Sequence, residues 1–169
     1  MSKPFSGNTK QCFDHYTGNF LPKKGSRNAS TAKIPLGNFV GVSPDTVTCW
    51  IAGKGKPKGD VLIRLRFFLG VMGYDVTELR ALRSKKVNYM LAEMLVYGVI
   101  DLNEAAQMLG YNNKNSVLRI LRGEQNPPEA KTAKIKSLYG AETTAPKIAT
   151  TKLNLLKELG LTPSRDEIR

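Results

Sequence analysis

The residues with the most chemistry to offer lie in the stretch NNKNSVLRILRG, residues 112–123, where Lys114, Asn115, Ser116, Arg119 and Arg122 crowd into little more than two helical turns. The Asn amide offers one donor and one acceptor that match the edge of adenine, the Arg guanidinium offers a fork of donors that match the two acceptors of guanine, and each such pair contributes about 1–3 kcal/mol of discrimination. Lys adds a point charge suited to phosphate. The apolar residues between them, Val117, Ile120 and Leu121, recur at helical spacing and face inward, Asn113 is placed to cap the helix, and Gly123 to end it.

Bond-making chemistry is far less visible. Cys12 and His15 have the spacing of half a zinc site, but a structural site needs four ligands, Cys49 is the one further thiol, and His15 is the sole histidine. The same scarcity argues against a Cys–His nucleophile. The segment GKGKPKG lacks the spacing and the strand–helix context of a phosphate-binding loop, and the carboxylates are scattered over helix surfaces. No enzyme, metal or cofactor is expected. With 26 Lys+Arg against 14 Asp+Glu, a formal charge of +12 and a pI near 9.8, the chain favours a polyanionic partner, nucleic acid before an acidic protein or a membrane surface. The alternative is that the charge serves only solubility. Hydrophobic residues at 41% suffice for a packed core, and no apolar run approaches membrane-span length. Two cysteines, one of them inside a short helix, fit a reducing cytoplasm.

The elements that must position these residues are helical throughout. Residues 1–31 form a basic arm rich in Gly, Ser and Asn, interrupted by one short helix over about 10–20 that would bury Phe13, Tyr16 and Phe20; Arg27 either enters a minor groove or belongs to a disordered tail. TAKIPLGNFVG is a short helix burying Leu36, Phe39 and Val40, with Pro35 near its start. In GVSPDTVTCWIAG, residues 41–53, Ser43 is an N-cap, Pro44 takes the first helical position, Val47, Trp50 and Ile51 make a buried stripe, and Gly53 stops the helix. Asp60 would cap the next helix, with Leu62, Leu65, Leu69 and Met72 on its inner face and Arg64 and Arg66 solvated; Asp75 or Thr77 caps one more turn or two. From Lys85 a second set follows: a helix burying Met90, Leu91, Met94, Leu95 and Tyr97, a short helix from cap Asp101 to stop Gly110, the helix after Asn113, a helix from Glu129 to Tyr139, and an amphipathic C-terminal helix. Arg80, Arg83, Lys85 and Lys86 either grip phosphates or only separate the two sets.

The two sets form an internal repeat. Setting Gly53 on Gly123 places Val47 on Val117, Trp50 on Ile120 and Ile51 on Leu121, while Gly41 and Gly110 end the preceding helices; the second copy has one extra turn residue. Short helix, Gly turn, capped short helix and Gly is the order of a helix-turn-helix. Residues 32–83, through LGNFVGVSPDTVTCWIAGKGKP and LIRLRFFLGVMGYDVTEL, resemble the lambda-repressor-like family of the Cro and XRE type; residues 86–142 resemble it loosely.

The resemblance implies that the first recognition helix presents Ser43, Pro44, Asp45, Thr46 and Cys49, with Thr46 suited to a thymine methyl and Asp45 to cytosine N4, and that Lys54, Lys56 and Lys58 touch phosphate in the following loop. Those lysines equally fit a solvated turn. In the second copy Lys114, Asn115, Ser116 and Arg119 hold the corresponding outward positions, with Asn113 and Arg122 at their ends. The expectation is an all-α fold of two tandem helix-turn-helix units of four to five short helices each: an arm over 1–31, units over 32–84 and 85–142, and a linker with the C-terminal helix over 143–169. The expected function is sequence-specific binding of double-stranded DNA by a cytoplasmic transcriptional regulator of repressor type, with two unequal half-sites about 34 Å apart. Leu153, Leu155, Leu156 and Leu159 offer either a homodimer seam or a cap on the protein's own core. The alternative is a protein-interaction module, or an antitoxin-like scaffold on the same frame.

Overall fold

The computed structural model describes residues 5–20 and 28–158. These residues form an all-α fold: α1 (Thr9–Phe20), α2 (Asn28–Val40), α3 (Pro44–Ile51), α4 (Gly59–Val71), α5 (Thr77–Arg83), α6 (Lys86–Val96), α7 (Leu102–Leu109), α8 (Lys114–Leu121), α9 (Glu129–Tyr139) and α10 (Thr144–Glu158), with two-residue strands β1 (Ser6–Gly7) and β2 (Asp75–Val76). The chain divides into two compact units, Met1–Arg80 and Ala81–Arg169. No helix among the described residues is long and apolar enough to cross a membrane.

In the first unit α4 packs against both α1 and α2, and α2 packs against α3. Being covered from two sides, α4 buries a wide arc, Ile63, Leu65, Phe67, Phe68 and Leu69, rather than the narrow stripe expected, and Leu62 and Met72 stay half-buried. Asp60 is no cap; Lys58 holds the N-cap position without a side-chain bond, and Asp60 pairs with Arg64 at 3.5 Å.

The helix expected over about residues 10–20 is α1, but residues 5–8 before it are not the flexible arm expected there. Phe5, β1 and α1 belong to the first unit: β1 pairs in parallel with β2, Ser6 opposite Asp75, and the Asp75 amide donates to the Phe5 carbonyl at 2.9 Å. Helix α1 opens with a reciprocal capping box, in which the Asn8 amide donates to Gln11 Oε1 and the Gln11 amide donates to Asn8 Oδ1, both at 2.8 Å. It then buries Cys12, Phe13, Tyr16 and Thr17. Helix α2 begins before Pro35, which lies inside it with its ring buried; packing of Leu36 and Val40 overrides the local penalty of a proline at that place, and Phe39 is half-buried. Arg27 and Leu159 lie outside the described residues.

Gly37, on the inner side of the α2–α3 turn, is where the chain approaches itself most closely. Its carbonyl accepts from the Gly41 and Val42 amides at 2.8 and 2.9 Å, and a Cβ added at Gly37 would stand 2.7 Å from the Val42 carbonyl oxygen. Alanine in a helix ordinarily gains up to about 1 kcal/mol over glycine. Here the overlap with backbone reverses the sign, and Gly37→Ala is expected to destabilise the first unit by about 1–2 kcal/mol. Urea unfolding followed by emission of the single tryptophan, Trp50, measures it; a gain in stability would show that the turn can open at no cost.

In the second unit α6 packs against α8 and α9, α7 against α8 and α9, and α10 against α6 and α9. Leu91, Met94, Leu95, Tyr97, Leu109, Val117, Ile120, Leu121 and Ile135 form the core, with Met90 half-buried. Glu93 is buried with them and accepts from the Tyr139 hydroxyl at 3.1 Å; burial, and then the Glu93 carboxylate, push Tyr139 up to about 12. Ile148, Leu155 and Leu156 of α10 are buried within this unit, with Leu153 half-buried, so two of the leucines considered for a dimer seam cap the unit's own core.

Candidate nucleic-acid interface

Each unit carries a pair of short helices joined by a tight turn: α2 and α3 through residues 41–43, α7 and α8 through residues 110–113, one residue longer. Gly41 and Gly110, which end the first helix of each pair, have φ of 86° and 74°, and Gly53 and Gly123, past the second, have φ of 76° and 79°. The local logic at each helix start is also realised. Ser43 Oγ accepts from the Thr46 amide at 3.3 Å, and Asn113 Oδ1 accepts from the Asn115 amide at 2.8 Å. Asp101 and Glu104 close a full capping box at the start of α7. The Glu104 amide, then the Glu104 side chain, hold the Asp101 carboxyl below its ordinary range, and the charge of Lys114 adds to this.

Helix α8 is set firmly. Val117, Ile120 and Leu121 are fully buried, because α8 packs against both α6 and α7. Asn88 of α6, itself buried, donates from Nδ2 to the Ile120 carbonyl at 2.8 Å and to the Gln125 carbonyl at 3.0 Å, and Lys85 Nζ donates to the Gly123 carbonyl. These bonds tie α6 to the last turn of α8 and to the loop that follows it. The opposite side presents Asn113, Lys114, Asn115 and Arg119, all exposed, with Ser116 half-buried between them. Lys114 and Arg119 enter no ion pair among the described residues; Arg122 is half-buried and gripped by Glu124 through two bonds of 3.1 and 3.2 Å. Arg122, at the C-cap of α8, thus differs from Lys114 and Arg119 in having an acidic partner.

Helix α3 is built alike and exposes different chemistry. Ser43, Pro44, Asp45 and Cys49 are exposed, and Thr46 is half-buried with its hydroxyl 3.1 Å from that of Ser43. Val47 is buried and Trp50 half-buried, but Ile51, expected in the core, is 41% exposed where its counterpart Leu121 is fully buried. The reason is the neighbourhood: α3 packs chiefly against α2, whereas α8 packs against both α6 and α7. Lys54, Lys56 and Lys58 are exposed in the loop after α3 and enter no ion pair among the described residues.

Several of the other basic residues have structural partners. Arg80 pairs with Asp75 at 2.9 Å, and the Arg83 guanidinium lies 5.9 Å from the centre of the Tyr89 ring. Arg66, expected in solvent, reaches inward: Nε donates to Thr9 Oγ1 at 3.0 Å and Nη2 lies 3.6 Å from Glu78 Oε2. Glu78 also accepts from the Thr9 amide at 3.0 Å and from its hydroxyl at 2.7 Å. Burial alone would raise the Glu78 pKa, but the Thr9 bonds, the backbone and Arg66 together hold it below its ordinary value. No short-range pattern announces this cluster, since Thr9 and Glu78 lie 69 positions apart; the Asn8–Gln11 capping box is the one local signal that the helix carrying Thr9 begins there. Cys12 and His15 do not face a common point: the buried Cys12 thiol donates to the Gly7 carbonyl at 3.5 Å, and His15 Nδ1 shares a 3.0 Å hydrogen bond with the Tyr74 hydroxyl.

No family model, curated protein or solved structure matches this chain.

Proposed function

We propose that this protein is a sequence-specific double-stranded DNA-binding protein that acts as a transcriptional regulator, with α8 as its principal base-reading helix. The carrying observation is the two-sidedness of α8: Val117, Ile120 and Leu121 are sealed in the core, while Lys114, Asn115 and Arg119 stand exposed on the other side, with neither cation spent on an ion pair among the described residues. A helix so held is narrow enough to enter the major groove, where Asn and Arg discriminate bases and Lys meets phosphate. Lys54, Lys56 and Lys58 add phosphate contacts after α3, whose face of Pro44, Asp45, Thr46 and Cys49 reads weakly. The lambda-repressor-like resemblance of residues 32–83 supports the same reading.

A second reading, a protein-interaction scaffold, is favoured by that α3 face, which carries Asp45 but no Lys or Arg, and by exposed Ile51. Selection of the full chain against random duplexes at two salt concentrations separates the two. The regulator yields a motif that survives the higher salt, with one part richer in adenine and guanine contacts. Binding that vanishes with salt and leaves no motif is charge alone, and it would sink the regulator in favour of the scaffold.

A further inference from the structure

The first unit contains an open cavity of about 520 Å³, of which the DNA reading uses only Lys56. Its volume falls in the range of about 300–1,000 Å³ typical of small-molecule sites. One wall is aromatic: Phe13 of α1 and Trp50 of α3 meet edge to face, with ring centres 6.2 Å apart and planes at 72°. Leu62 and Leu65 of α4 supply an aliphatic wall, and the loop after α3 forms a rim with Lys56 and Pro57. Trp50, a large apolar side chain, is only half-buried here, so part of its surface lies open to whatever enters.

The charges around the cavity decide which molecule it suits. Lys10 is matched by Asp14 at 3.0 Å, and Arg66 is matched by Glu78 at 3.6 Å with its Nε committed to Thr9. Each pair is close to neutral in sum. Lys56 is the remaining charged residue of the lining, and it enters no ion pair among the described residues. The lining thus combines an aromatic and aliphatic wall with a single net positive charge at the rim.

We propose that this cavity binds a small aromatic carboxylate, its ring set against Phe13 and Trp50 above Leu62 and Leu65, and its carboxylate at Lys56. An aromatic ring gains from burying the open surface of Trp50 and from edge-to-face contact, and the carboxylate gains a charge-assisted partner. A cation would meet the excess positive charge, and a neutral ligand would leave Lys56 unused. Because Trp50 and Lys56 flank the end of α3, the bound molecule touches the segment that carries Lys54 and Lys58. An effect on phosphate contact there rests on the DNA reading; the binding site does not.

The test uses the full chain without DNA. Emission of the single tryptophan, Trp50, is followed during titration with phenylacetate, 3-phenylpropionate and 4-phenylbutyrate, with phenylacetamide and phenethylamine as neutral and cationic controls. The expected result is a saturable change with the acids binding more tightly than the amide, and the amine least tightly. Lys56→Ala, in an exposed loop where folding is not at stake, is expected to weaken the acids about three- to tenfold and to leave the amide unchanged. Absence of a saturable response to all three acids overturns the proposal. So does a preference for the amine, or equal binding of the acids by Lys56→Ala. None of these outcomes depends on whether the protein binds DNA.

Discussion

Replacing Lys114 and Arg119 together by alanine is expected to lower the affinity for the selected duplex by ten- to a hundredfold while leaving the protein as stable as before. Both side chains are exposed on α8 and neither is spent on an ion pair among the described residues, so their removal should change stability by no more than about 0.5 kcal/mol. The two losses differ in kind. Arg119 is the candidate for a bidentate pair with guanine, and its removal should cost about 1–3 kcal/mol of discrimination at one position of the site. Lys114 is the candidate for phosphate, and its removal should weaken all duplexes alike and reduce the salt slope by about one counterion. Competition between the selected duplex and a scrambled one, over a range of salt, separates these effects; thermal unfolding supplies the control. An unchanged ratio of specific to non-specific binding would show that α8 does not read bases and would turn attention to α3 and the scaffold reading.

Phe68→Ala is expected to have the largest effect on stability, a loss of about 3–5 kcal/mol. Phe68 is fully buried in the last turn of α4, a helix that packs against both α1 and α2. Its ring meets Tyr16 edge to face at 5.5 Å and 81°, and Phe39 at 5.8 Å with a tilt of 45°. Truncation therefore removes two aromatic contacts and leaves a cavity that α4, gripped from two sides, cannot collapse into. Since a domain's whole stability is about 5–15 kcal/mol, this is a large share of the total and should move the urea midpoint of the first unit strongly downward. Trp50 lies in that unit and is the single tryptophan of the chain, so its emission during urea unfolding follows this loss without contribution from the second unit. A loss below about 1 kcal/mol would mean that Phe68 does not anchor the three helices.

Much of the candidate site was legible along the chain. The caps at Ser43, Asp101 and Asn113, the stops at Gly53, Gly110 and Gly123, and the inward trio Val117, Ile120 and Leu121 all stand where residue type and spacing put them. Each depends on atoms three or four positions away, whose separation the helix itself sets. The match between the two copies fails at Ile51, because its exposure depends on whether a second helix covers that side of α3, and spacing within α3 carries no information about that.

Local residue order thus determined the helical class of this protein, the boundaries of its two capped short helices and the side of α8 that faces solvent. Tertiary structure alone decided that residues 5–20 join the first unit through β1 and the packing of α1, that Arg66 turns inward to Thr9 and Glu78, that Asn88 ties down the end of α8, and that a cavity opens beside Trp50. Those features join residues tens of positions apart, with Ser6 and Asp75 separated by 69. A hydrogen bond or a burial over such a span exists only once packing has chosen which surfaces meet, and that choice is made by the whole set of apolar faces together rather than by any one segment.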